Sequence, residues 1–69
     1  MHRDALCVAL IAESVNAPSR SRRLASMLLI SAVRVVKTGS EEDVIHYVEE
    51  RAPSDVAEEA RQLIHELGI

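Results

Sequence analysis

The chain has 69 residues, of which 48% are hydrophobic and 1% aromatic, and its formal net charge at pH 7 is −3. This length allows one domain, spanning residues 1–69, with a core so small that a second chain would add useful stability. Because Phe and Trp are absent and there are only two Gly and two Pro, the composition disfavours base-stacking surfaces, glycine-rich phosphate loops and β-hairpins.

The single cysteine and the hydrophobic segments indicate in which cellular compartment the protein is expected. Cys7 has no second cysteine to pair with, which predicts a reducing cytoplasm and a thiol that acts as a small core residue. The N-terminal apolar run has the outline of a short signal peptide, but Asp4 and Glu13 flank it and argue against secretion. No segment reaches the roughly 20 apolar residues of a membrane span. We therefore expect a cytoplasmic protein without a membrane contact.

The net charge conceals two halves of opposite sign. Residues 1–39 sum to +4, whereas residues 40–69 sum to −7. Such a division indicates a basic and an acidic surface on one small domain.

The first predicted helix covers residues 3–15. Its sequence contains good helix formers and no Gly or Pro, and its apolar residues extend nearly all the way round the helical wheel. A short helix of this kind is stable in water only when both faces are covered. Residues 16–19 form a break, with Pro18 expected in the first turn of the next helix.

The second predicted helix covers residues 19–37, with Lys37 near its negative end and Gly39 as a left-handed cap. Its apolar residues occupy about half of the circumference, which is more than one neighbouring helix would cover. The β-branched stretch 33–36 could instead form a short strand, although no second strand is evident to pair with it.

Two further helices are predicted at 41–52 and 54–67. Ser40, followed by the acids at 41–43, is a strong helix start, because the hydroxyl can cap the helix and the acids lie at its positive end. Pro53 ends the third helix and begins the fourth. The fourth has a narrow apolar stripe with its charges on the other side. The overall prediction is an all-α, compact bundle of about four short helices, forming a homodimer that shares its N-terminal helices.

The sequence gives no indication of catalysis, and we expect a protein that is not an enzyme and needs no cofactor. It contains no nucleophile elbow, no phosphate loop and no zinc-ligand spacing. Asp43 and His46 have the spacing of two metal ligands on one helical face, but the corresponding pair at 62 and 65 is Gln62 and His65, and Gln is a poor ligand. Metal binding is therefore not predicted.

Five residues are predicted to bind a partner: Arg20, Arg23, Met27, Arg34 and Tyr47. The arginines lie on one side of the second helix with Met27 among them, and they would suit an acidic, partly apolar protein surface. Tyr47 is the only aromatic residue and could either cover the core or anchor an interface. In a simpler alternative, the basic stripe packs against the acidic helices of the same chain or of a dimer mate.

These patterns favour a small non-catalytic regulatory protein, an inhibitor or adaptor, that binds another protein stoichiometrically. The alternative is a DNA-binding regulator that uses the basic second helix or the C-terminal helix pair, which has the outline of a helix-turn-helix. Nucleic acid is the less favoured partner, because the would-be recognition helix at 54–67 carries four acids and Arg61 as its only Lys or Arg, and phosphates would repel it.

Overall fold

A computed structural model of the chain describes residues 3–36 and 40–67. Within these residues it contains four α-helices and no strand: α1 (Arg3–Asn16), α2 (Arg20–Val35), α3 (Glu41–Arg51) and α4 (Ser54–Leu67). The predicted all-α class is confirmed, and the predicted helix ends lie within two residues of those observed.

The end of α2 differs from the prediction. The helix ends at Val35, and Val36 is extended (φ −76, ψ 119) although its N–H still bonds to the carbonyl of Ala32. The alternative prediction of a strand at 33–36 is therefore wrong for residues 33–35, which are helical. Val36 alone leaves the helical conformation. Lys37 and Gly39, on which the predicted end depended, lie outside the described residues.

The N-caps of α2 and α3 differ in whether the serine side chain forms a hydrogen bond to the helix. Ser19 is the N-cap of α2, and its hydroxyl accepts a hydrogen bond from the backbone N–H of Arg22 at 3.2 Å. Pro18 consequently precedes the cap and is not part of the first helical turn. Ser40 occupies the N-cap position of α3 but makes no side-chain cap bond. Its carbonyl accepts from the N–H of Val44 at 3.2 Å, so the helix starts at the predicted place without the expected side-chain bond.

The core is built around α2, which packs against α1, α3 and α4, while α3 also packs against α4. All four helices contribute fully buried side chains. The largest are Leu6, Leu10, Leu29, Val33, Val44, Val48 and Leu63. The buried Ser26 is satisfied locally, because its hydroxyl donates to the carbonyl of Arg22 at 2.8 Å.

One chain closes this core by itself. Its accessible surface is 4251 Å², close to the roughly 4,300 Å² expected for a compact monomer of this mass. The Cα radius of gyration is 10.4 Å, against about 11 Å for a typical domain of this length. Among the described helices, none has both the length and the apolar character needed to cross a lipid bilayer.

The exposed large hydrophobic side chains of the described residues all lie on the two N-terminal helices. They are Val8, Ile11 and Val15 on α1, and Leu24, Met27 and Val35 on α2. The apolar surplus predicted for these helices is therefore present at the surface of the single chain.

Candidate functional site

Arg22 on α2 forms ion pairs with carboxylates on two other helices of the chain. Its guanidinium lies 3.8 Å from Glu13 on α1, and 3.5 Å from Glu59 and 3.1 Å from Glu66 on α4. Its side chain is only 17% exposed. Partial burial lowers the pKa of Arg22, but the hydrogen bond to Glu66 and the charges of all three carboxylates outweigh that effect and leave the pKa raised. Arg22 is thus a cationic junction between three helices.

The arginines on either side of Arg22 point away from the core. Arg20, Arg23 and Arg34 are exposed, and none forms an ion pair with another described residue. Arg34 follows Arg20 by 14 positions, which corresponds to about 21 Å along the helix. The described part of the chain therefore presents three uncompensated positive charges along one side of α2.

Apolar side chains lie between and beside these charges. Met27 is 53% exposed, Leu24 is 39% exposed and Val35 is 57% exposed. At 100° per residue they fall on the same half of the helix as the three arginines. We call this surface the α2 outer face, and its exposed residues are Arg20, Arg23, Leu24, Met27, Ser31, Arg34 and Val35.

Tyr47 meets one end of the α2 outer face. It is half-buried on α3 and lines a shallow groove with Ser31, Arg34 and Val35. The Arg51 guanidinium lies 3.8 Å from the centroid of the Tyr47 ring and donates a hydrogen bond to the Tyr47 carbonyl at 3.1 Å. Tyr47 packs against the edge of the core and remains partly accessible beside Arg34.

The five predicted residues are consequently not all neighbours. The groove brings Tyr47 and Arg34 together, whereas Arg20 lines a different groove with Leu24 and Pro53 near the α3–α4 turn. Arg23 and Met27 lie between the two ends on α2. The structure arranges the predicted residues as an elongated surface and not as a pocket.

Five acids of the described residues form ion pairs with arginines outside the α2 outer face. Arg61 on α4 bonds to Glu49 on α3, Arg51 lies 3.4 Å from Glu50, and Arg22 collects the three carboxylates described above. The ion pairs of α2 with acidic helices of its own chain are thus made by Arg22. The predicted basic stripe of Arg20, Arg23 and Arg34 forms no ion pair with another described residue.

The sequence pattern alone assigned Arg22 no role distinct from that of the other arginines of the second helix. The spacing of residues along α2 could have indicated that Arg22 faces the core. Arg22 precedes the buried Ser26 by four residues and the buried Leu29 by seven, which places it on the inner side of α2.

The two histidines of the described residues, His46 and His65, lie on α3 and α4. His46 is exposed, and its Nδ1 lies 3.9 Å from Glu49 Oε1. His65 lines the α3–α4 groove together with His46, Glu41 and Glu42. No group of three or more His, Cys, Asp or Glu side chains in residues 3–36 and 40–67 is arranged to hold a metal ion.

Comparison of the chain with models of known protein families, with curated proteins and with solved structures finds no significant match.

Proposed function

We propose that this protein is a small, non-catalytic regulator, an inhibitor or adaptor, that binds another protein stoichiometrically through the α2 outer face. The observation that supports this proposal is the separation of roles on α2. Arg22 takes the intrachain carboxylates, while Arg20, Arg23 and Arg34 remain exposed without an ion pair among the described residues.

The chemistry of the α2 outer face defines the partner's surface. Each arginine can hold a carboxylate through two parallel N–H···O bonds. Met27 provides a flexible apolar contact between Arg23 and Arg34, and Val35 provides a rigid one beside Arg34. A partner helix with acids on either side of an apolar stripe would match the α2 outer face. On both helices, the charged and apolar side chains would recur at the helical spacing of three or four residues.

The proposal includes a homodimer in a reducing cytoplasm. All exposed large hydrophobics of the described residues lie on α1 and α2, so a second copy that covers those of α1 would remove apolar surface from water and leave the α2 outer face open to the partner. Cys7 is half-buried and free, which agrees with a setting where thiols stay reduced.

DNA binding is the second candidate, because exposed arginines without an ion pair to another described residue also suit phosphates. Its support is limited to α2. The outward side of α4 exposes Asp55, Glu58 and Glu66, and its one arginine, Arg61, is engaged by Glu49. A helix-turn-helix mode would therefore bring carboxylates towards the phosphates.

An affinity capture with matched variants tests the two candidates. The tagged protein is incubated with nuclease-treated cell lysate, and bound proteins are identified and then purified to measure stoichiometry. Arg23→Gln and Arg34→Gln should each reduce capture of the same protein. Gln62→Glu, on the exposed part of α4, changes the net charge by the same amount as each of these and should leave capture unchanged.

Two outcomes contradict the proposal. Capture that is equal for the wild type and both arginine variants would exclude the α2 outer face as the binding site. Retention of DNA from untreated lysate, with an affinity that falls steeply as salt increases, would favour the nucleic-acid candidate instead.

A further inference from the structure

The side of α1 that faces away from the core is apolar through its middle turns. Val8 is 68% exposed, Ile11 is 52% exposed and Val15 is 73% exposed. Their spacing of three and four residues places them on one face, which also carries the exposed Ala5 and Ala12. These five residues and Asp4 make up the α1 outer face. An exposed apolar helix face of this kind is typical of a site that packs against another apolar surface.

The charges on the α1 outer face are confined to one end. Asp4 is exposed at the N-terminal end of this face. The basic residue of α1, Arg3, is turned away and bonds to the carbonyl of Val36 at the end of α2. An uncharged centre suits another apolar helix, and the face lacks the cations that bring amphipathic helices to anionic membranes.

We infer that the α1 outer face packs against the same face of a second copy, with the two α1 helices antiparallel about a two-fold axis between Ile11 and Ala12. This inference rests on the homodimer proposed above and specifies its geometry. In this register Val8 of one copy lies opposite Val15 of the other. The surface is then self-complementary, as a two-fold interface requires.

The charges at the helix ends select the antiparallel orientation. Asp4 would lie about 11 Å from the two-fold axis, beside the turn that joins α1 to α2 in the second copy. Arg20 begins α2 at that turn, and it is exposed without an ion pair among the described residues. The antiparallel pair therefore places Asp4 near an arginine at both ends. A parallel pair would place two Asp4 carboxylates side by side, which is unfavourable.

The length of α1 limits the strength of the dimer. Its 14 residues span about 21 Å, so two such helices bury less than the roughly 800 Å² per partner of a standard stable interface. We expect dissociation in the micromolar range, which analytical ultracentrifugation reaches with protein at up to about 500 µM.

The first experiment compares the wild type with Ile11→Glu and Met27→Glu. Ile11→Glu would place two carboxylates beside the two-fold axis and should raise the dissociation constant by at least about a hundredfold. Met27→Glu makes an equal charge change on the α2 outer face and should leave the dimer intact. Both sites are about half exposed, and circular dichroism verifies that both variants remain helical.

The second experiment determines the orientation. In a Cys7→Ser background, Val8→Cys and Val15→Cys proteins are mixed and treated with a short bis-maleimide. Antiparallel helices should give mainly the mixed cross-link, whereas parallel helices would join like to like. A charge exchange adds a further readout, because Asp4→Arg and Arg20→Asp should each weaken the dimer about threefold and together restore it.

The outcomes distinguish this inference from the proposals it builds on. A wild type that stays monomeric at about 500 µM overturns both the homodimer and its α1 contact. A dimer that survives Ile11→Glu, or that cross-links like to like, overturns the α1 contact alone. Loss of the dimer without loss of partner capture would leave the α2 outer face as an independent binding site.

Discussion

Arg22 Nη2 lies 3.1 Å from Glu66 Oε2, and this ion pair joins the first turn of α2 to the last turn of α4. Glu13 and Glu59 approach the same guanidinium from α1 and α4. A single side chain thereby connects the consecutive helices α1 and α2 with the C-terminal helix α4. This network accounts for the difference between Arg22 and its exposed neighbours.

Replacing Arg22 with Ala should lower the free energy of unfolding by about 1 to 2 kcal/mol, because three carboxylates would be left close together without their cation. Urea denaturation followed by circular dichroism measures the change. Arg20→Ala, at an exposed position with no ion pair to the residues that the structure describes, is the matched control and should change stability by less than about 0.5 kcal/mol. Equal effects of the two variants would show that the network contributes nothing specific.

The pH dependence of the Arg22 contribution follows from the direction of its shift. A pKa raised by folding gives stability that is fully present below the ordinary arginine pKa and is lost only as the pH rises through the folded-state value. The contribution of the guanidinium itself should therefore stay constant across the neutral range. Salt should reduce it, since roughly 1 M salt screens partly exposed charges.

The sequence was sufficient to predict the four helices because their ends have local causes. Ser40 and the acids after it start α3, and Pro53 separates α3 from α4. The role of Arg22 could not be predicted in the same way, since its partners come from α1 and α4 and depend on how those helices pack. Similarly, the nearly all-round apolar pattern of α1 did not indicate whether Leu10 or Val8 would be buried.

The two serine caps should differ in their contribution to stability. The Ser19 hydroxyl accepts a hydrogen bond from the Arg22 N–H, so Ser19→Ala should cost about 1 kcal/mol. Ser40 makes no side-chain cap bond, and Ser40→Ala should cost clearly less. Both substitutions remove the same atom from an exposed N-cap. Because the Ser19 hydroxyl also lies 3.3 Å from the Ser21 hydroxyl, Ser21→Ala measures that second contact separately in the same chemical denaturation. A larger loss for Ser40→Ala would contradict the observed capping.

The stacking of Arg51 on Tyr47 should be detectable through the only aromatic side chain. Arg51→Ala removes a guanidinium 3.8 Å from the ring centroid and should reduce stability by about 0.5 to 1 kcal/mol. Because there is no Trp, tyrosine fluorescence reports on Tyr47 directly and should change in the folded state. Gln62→Ala on α4 is the control and should leave the emission unchanged. Unaltered emission in Arg51→Ala would contradict the stacked arrangement.

Leu29 and Met27 separate the requirements of the fold from those of binding. Leu29 is fully buried and Met27 is 53% exposed, two residues apart on α2. Leu29→Ala should reduce the free energy of unfolding by about 2 to 5 kcal/mol, because it leaves a cavity in the centre of the bundle. A domain of this size has only about 3 to 10 kcal/mol in total, so this variant should be partly unfolded at 37 °C.

Met27→Ala should change stability by less than about 0.5 kcal/mol, because its side chain has little packing to lose and Ala is a strong helix former. If the α2 outer face binds a partner, the same variant should nevertheless weaken partner capture, since Met27 lies between Arg23 and Arg34. Thermal unfolding and capture measured on the same preparation compare the two effects. A Met27→Ala protein that unfolds as readily as Leu29→Ala would show that α2 is oriented differently, with Met27 inside the bundle and no exposed apolar contact between its arginines.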